Sequence, residues 1–411
     1  MLTIRLFKVA VGVLLLQFVG YLIINGYTHS WNIYSSPCGN GDTMQLTTVG
    51  NLSSSTVSNI VDREMYVNSV IHEVTALMKA QLESNFTVKP YSWTTRCAPN
   101  SKSKDACVQQ NCTQLSNNLT ERIQSLYSEK TILTKEQDDL LGSVAAEIPE
   151  NDVIILSAAS SNHYDEMQAM LHSLHSMVFP ELSKTENFSL VLWDIGLTSD
   201  QRQKTKKCCR CQLISFPFEK FPKRLKDLHT YMWKPMIIRM ALFRARKYVV
   251  WQDASIRYVR FPGPLFERAM HLGVQLVRDF GMTATTTHYT LPETFDYFGQ
   301  KVCNFSPYPE IAATFGVYKH DPFVLTAVTN LWARCAFEEK CMSPRDTMPS
   351  LRCRYGPCHR FDQSALTIIT TTLYGSKIYR IVRPPEDLPQ YIIIRRDDKK
   401  ANYFYSIGCL K

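Results

Sequence analysis

Acidic residues stand in this sequence where apolar runs end. Residues 233–258 read WKPMIIRMALFRARKYVVWQDASIRY, in which an apolar stretch at helical spacing leads to the run YVVW, and Asp253 and Ser255 follow it closely. A carboxylate directly after a buried run either binds a ligand or pairs with a neighbouring cation, here Arg257. Asp194 follows SLVLW (189–193) in the same way and precedes Ile195-Gly196, so it either holds a ligand at a strand end or caps a turn. Lys234 stands before Pro235, where it either reaches an anion or simply belongs to a helix start. His163, in the polar stretch Ser160-Ser161-Asn162-His163, is a ligand contact or a solvated turn residue. In HRFDQSAL (359–366), His359 and Asp362 open a helix and either side chain could take a proton from a hydroxyl, against the plainer reading of Asp362 as a carboxylate on the helix dipole.

The elements that position these residues are legible in the hydrophobic pattern. VIILS (153–157), SLVLW (189–193), QLISF (212–216) and YVVW (248–251) are short apolar runs, and helix-spaced apolar residues occur in 166–179 and at Met232, Met236, Ile237, Met240 and Phe243. Strands that are almost continuously apolar, alternating with helices, predict an α/β domain over residues 146–411: a mostly parallel sheet covered by helices on both faces, with ligands at the C-terminal strand ends.

Several chemistries are excluded by absence. Residues 146–411 contain no G-x-G-x-x-G, no G-x-x-x-x-G-K-[ST], no G-x-S-x-G and no H-E-x-x-H. The turn after the first strand run, Ala158-Ala159-Ser160-Ser161, also lacks the glycines of an S-adenosylmethionine site. In order, LVLWDIGLTSDQ (190–201), the Asp253 segment and HRFDQSAL resemble the motifs of GT-A-type nucleotide-sugar glycosyltransferases. The resemblance is strongest to a nematode lumenal family carrying a domain of unknown function. It implies a GT-A-like fold and a nucleotide-sugar donor. It also implies a hexosyltransferase-type reaction onto a hydroxyl of a glycan or glycoprotein acceptor, and manganese as metal. On that resemblance Asp253, Asp194, Lys234 and His163 contact the donor, Asp362 and His359 serve the acceptor, and Asp253 binds the metal. One departure stands out: Ser255 occupies the place of a second Asp, and a neutral hydroxyl is a weak ligand for a hard cation, so the ion needs another donor, for which Asp253 and His359 are the candidates. If neither serves, basic residues must neutralise the phosphates. The alternative reading is a non-catalytic lumenal or cell-surface protein on a degenerate glycosyltransferase fold.

The rest of the chain sets the expected address. The 411 residues are 45% hydrophobic and 20% charged, which excludes general disorder. The net charge of +9 resides in residues 146–411 and suits an anionic ligand; nine Lys or Arg between Arg202 and Lys226 read as a solvated or glycan-facing loop, because the lumenal address makes nucleic acid improbable. The apolar run VAVGVLLLQFVGYLII (9–24) follows Arg5 and Lys8, which predicts a retained signal anchor in residues 1–28, with a cleaved signal peptide as the alternative. Six N-x-Ser/Thr sequons (Asn51, Asn85, Asn111, Asn118, Asn187, Asn304) and 13 cysteines fit a lumenal glycoprotein with disulfides. The odd cysteine leaves a free thiol or a disulfide-linked dimer. Residues 29–145, rich in Ser, Thr and Asn, read as a glycosylated stem with short helices. The expected location is the Golgi membrane, single-pass type II, with the catalytic domain in the lumen.

Overall fold

The computed structural model describes residues 54–90, 115–279, 285–345, 358–383, 387–396 and 402–410. Three helices lead, α1 (Ser54–Leu82), α2 (Leu119–Leu126) and α3 (Lys135–Ala145). Strands and helices then alternate as the hydrophobic pattern predicts: β1 (Asn151–Ala159), α4 (Tyr164–Met177), β2 (Phe188–Asp194), α5 (Ser199–Cys208), β3 (Gln212–Ser215), α6 (Trp233–Leu242) and β4 (Ala245–Gln252). The remainder is β5 (Ile256–Tyr258), α7 (Gly263–Leu272), β6 (Val274–Arg278), β7 (Ile311–Lys319), α8 (Asn330–Phe337), α9 (Asp362–Tyr374), β8 (Val382–Arg383) and β9 (Ile392–Ile394).

Seven strands form one sheet in the order β3-β2-β1-β4-β7-β6-β8, and β5 pairs with β9 in a small second sheet. Neighbours run parallel except where β7 meets β4 and β6, so β7 alone is reversed. The mostly parallel α/β sheet is thus present. Along β1, Ile154 and Leu156 pack into one apolar cluster while Val153 and Ile155 pack into another. Both faces are covered, and this is why the strands carry apolar residues at every position. From β1 the chain proceeds outward to β2 and β3, then returns to β4 on the other side of β1. The sheet therefore reverses its direction of growth at the β1–β4 junction, where a crevice opens beyond the C-terminal strand ends.

The leading helices are not separate from this body. Val70, Val74 and Met78 of α1, Ile123 and Leu126 of α2, and Leu141 and Val144 of α3 are buried in the same cluster as Val249 and Trp251 of β4. Arg122 donates to the backbone oxygens of Thr372 and Leu373 at the end of α9, and Arg380 donates to those of Leu82 and Ser84. The compact unit runs from Ser54 to Lys411, so the boundary expected at residue 146 lies inside it. The short helices expected within residues 29–145 are present, but that their apolar faces serve the main core is not legible in sequence, because spacing does not say what an apolar stripe packs against. A chain cut to residues 146–411 is accordingly expected to expose that cluster and aggregate, while 54–411 stays soluble; size-exclusion chromatography of the two compares them directly.

Three disulfides join described residues: Cys208–Cys409, Cys209–Cys211 and Cys335–Cys341. The first closes a loop of 201 residues and holds the C-terminal segment, whose Phe404 is buried, against the α4 side. Among the described residues no helix is long and apolar enough to cross a membrane; the run at 9–24 lies outside them, as do Asn51 and Asn111.

Candidate functional site

A cavity of about 710 Å³ opens where β4 and β6 end and β7 begins. Three elements bring their ends to it. Helix α6 runs antiparallel to the strand that follows it, so its first turn, carrying Lys234, lies at the C-terminal end of β4. Asp253 leaves β4, and its backbone N–H donates to Thr314 O of the reversed β7 at 2.8 Å. Asp362 is the first residue of α9, a helix that packs on β7. The buried Lys234 ammonium lies 3.2 Å from Asp253 Oδ1, 3.0 Å from Asp362 Oδ2 and 3.1 Å from Ala313 O. Residues 19 and 128 positions away in sequence thus share one cation. The rings of Tyr231 and Trp251 lie 5.3 and 5.4 Å from the same ammonium.

The electrostatics follow from this burial. For Lys234 desolvation works against the charge, but Asp253 and Asp362 outweigh it and raise its pKa, so it stays an ammonium. Asp362 is 3% exposed; burial pushes its carboxyl up to about 6, against the opposing pull of Lys234. A carboxyl poised near neutrality in a cavity is suited to exchange protons with a ligand. Backbone strain collects here too. Three non-glycine residues among those described have positive φ, and two of them stand immediately before or near the cavity helices: Tyr231 (φ 53) before α6 and Phe361 (φ 47) before α9.

The lining also contains residues that the sequence reading passed over: Tyr231, Asp279, Arg360, Gln363 and Arg396, with Pro389 and Ile392 to Ile394 as an apolar wall. Arg360 pairs with Asp279, to which Gln363 also donates at 3.1 Å, and its guanidinium lies 3.9 Å from the Tyr289 ring centre. Behind them Glu310 is buried, and desolvation raises its pKa well above the usual carboxylate range. A signal existed for Asp279, which follows the apolar run VQLVR (274–278) as Asp253 follows YVVW. Arg360 and Gln363 flank residues already singled out, whereas nothing in the sequence marks Tyr231 or Arg396.

Other expected site residues sit elsewhere. Asp194 ends β2 but turns inward: Oδ1 accepts from the N–H groups of Gly196 (2.9 Å) and Leu197 (2.7 Å), and Oδ2 pairs with Arg202. It caps its own turn, where Gly196 has φ +139 and a side chain would be strained. His163 bonds Glu166 at 2.8 Å, which raises its pKa, and it does not line the cavity. His359 is fully buried; Nδ1 accepts from Leu291 N–H at 3.3 Å and Nε2 donates to Met342 O at 2.8 Å. Burial lowers its pKa to about 4, and with both nitrogens committed to the backbone it neither ligates a metal nor takes a proton. Ser255 is buried and absent from the lining. The expected manganese set of Asp253, Ser255 and His359 is therefore not assembled, and among the described residues no three His, Cys, Asp or Glu are gathered to hold a metal. Between the two carboxylates that do meet stands an ammonium, so the residues do not fit a divalent ion.

Fold and site together define a mixed α/β protein with a charged cavity at one end of its sheet. Residues 84–239 match a family described as a protein of unknown function (DUF1647), in agreement with the relation drawn from the sequence; the matched stretch includes Lys234 and ends before Asp253. No curated protein matches the chain. Solved structures that it resembles include glycosyltransferases, each of them distant. Galactosyltransferase LgtC, in complex with donor and acceptor sugar analogs, is 10% identical over 56% of this chain and 72% of its own, with a TM-score of 0.32. Core-mannan synthase A of Aspergillus fumigatus, in a Mn/GDP form, is 10% identical over 76% and 82%, TM-score 0.33. The apo bifunctional glycosyltransferase WbbM is 12% identical over 45% of this chain, TM-score 0.29, and the chain spans about a third of its length (35%).

Proposed function

We propose that this protein is a glycosyltransferase that moves a sugar from a nucleoside-diphosphate donor to a hydroxyl of a glycan or glycoprotein, working as a type II protein of the Golgi membrane. The observation that supports it most is the cavity itself: Lys234, Arg360 and Arg396 supply cations, Pro389 and Ile392 to Ile394 supply an apolar wall, and the Asp362 carboxyl stands at the same surface. In the transfer, a bond forms between the acceptor oxygen and the anomeric carbon as the bond from that carbon to the diphosphate oxygen breaks. The electron pair leaves with the nucleoside diphosphate, and the acceptor proton passes to Asp362. Cations of the lining and the N-terminal ends of α6 and α9 favour the departing anion.

The alternative, a non-catalytic protein on a degenerate fold, draws on one observation: Lys234 already pairs with both carboxylates. Thermal unfolding with UDP, GDP and CMP species, each as free nucleotide and as nucleotide sugar, separates the two, because a ligand bound only by the native state raises the midpoint. Stabilisation by one nucleotide together with its release from the matching sugar donor is the expected result. A folded protein indifferent to every nucleotide, and releasing none, would overturn the proposal in favour of the non-catalytic reading.

A further inference from the structure

We propose that this site holds the diphosphate of its ligand without a divalent cation, the Lys234 ammonium standing between Asp253 and Asp362 in the place an ion would take. The inference rests on the nucleotide-donor reading and adds how the charge of that donor is met. An ammonium has three donors, and Lys234 meets three oxygens at 3.0–3.2 Å: one from each carboxylate and Ala313 O. One of them is a hydrogen bond, to Ala313 O, and the other two are ion pairs, so the ammonium occupies the space between the carboxylates. A divalent ion binding the same carboxylates would have to displace a buried cation whose ion pairs among the described residues are with those two carboxylates. Manganese and magnesium also ask for about six oxygens in octahedral arrangement, and the expected helpers are elsewhere: Ser255 is off the lining and both nitrogens of His359 are spent on backbone.

Charge counting on the lining points the same way. Its cations are Lys234, Arg360 and Arg396 and its carboxylates Asp253, Asp279 and Asp362, and each of the three carboxylates already has a protein cation as partner. Lys234 answers Asp253 and Asp362, and Arg360 answers Asp279. That leaves Arg396, an exposed residue on the cavity that makes no ion pair among the described residues, as the guanidinium available to a phosphate.

Calorimetric titration of the full chain with UDP and GDP, once in EDTA and once in manganese, tests this, with uridine and guanosine as controls for the base alone. The Kd in EDTA is expected to lie within about threefold of the value in manganese. Arg396→Ala, exposed and therefore harmless to folding, is expected to weaken the diphosphate by about tenfold to a hundredfold while leaving the nucleoside unchanged. Binding seen only with manganese, or a diphosphate affinity indifferent to Arg396→Ala, overturns the inference and leaves the nucleotide site standing. No binding in either buffer overturns the donor reading and this inference with it.

Discussion

Asp362→Asn is expected to lower turnover of a nucleotide-sugar donor by about a hundredfold to ten-thousandfold while nucleotide affinity changes by less than about threefold. The substitution keeps the shape of the side chain at the start of α9, and Lys234 keeps Asp253 and Ala313 O as partners. What it removes is a group able to take the acceptor proton. In the parent protein burial holds this carboxyl near 6, so the rate should rise as pH increases through about 6, where the base form appears, and the rising limb should vanish from whatever rate the variant retains. Stability carries the opposite sign: a carboxyl whose folded pKa lies above its ordinary 3.8 stabilises the fold when protonated, and that contribution is lost as pH rises from about 4 to 6. Rate and stability measured over pH 4–8 therefore separate a catalytic from a merely structural Asp362. Full activity in the Asn variant would place the base elsewhere.

Lys234→Met should be the most damaging single change to the fold at this site, by about 3–5 kcal/mol at pH 7. Methionine fills the space of the alkyl stem, so packing around Trp251 and Tyr231 survives. The loss lies in the charges: Asp362, 3% exposed, and the partly exposed Asp253 are left facing one another without the cation that offset their burial. Lys234 also holds the Asp362 pKa down more than any other group does, so without it that value climbs beyond about 6. The variant should recover as pH falls from 7 to 5, because protonating Asp362 removes one of the two stranded charges. Chemical denaturation at both pH values measures this, and adding Asp362→Asn to Lys234→Met should restore much of the deficit at pH 7. A single variant as stable as the parent at pH 7 would show that the three groups are not a coupled cluster.

The α/β class was legible because it depends on a local property. A strand buried on both faces must be apolar at nearly every position, and the runs at 153–157, 189–193 and 248–251 announce β1, β2 and β4 wherever the chain later carries them. Asp253, Lys234 and Asp362 were likewise visible as polar groups at element ends, where a topology of this kind exposes them to a crevice. Chemical type and place in the element were also right for Asp194 and His359, yet neither reaches the cavity. Asp194 found two backbone N–H groups within three residues, and His359 found Leu291 and Met342 across the fold. A ligand residue and a structural one look alike in sequence, since both are polar groups beside apolar runs, and only the partners each one meets distinguish them.

By itself, then, the sequence determined the strands β1 to β4 and the helices α4 and α6, that their sheet is covered on both faces, and that acidic and basic groups stand at their ends. Those features follow from the hydrophobic effect acting on nearest neighbours along the chain. Tertiary structure alone decided that Lys234 of α6 stands between carboxylates 19 and 128 residues further on. It alone decided that Arg396 returns to the same cavity and that helices α1 to α3 belong to the core. Each of these depends on where distant segments meet, and it is the pairing of charges in a shared low-dielectric space, rather than any residue's own type, that turns an ordinary lysine into the cation of the site.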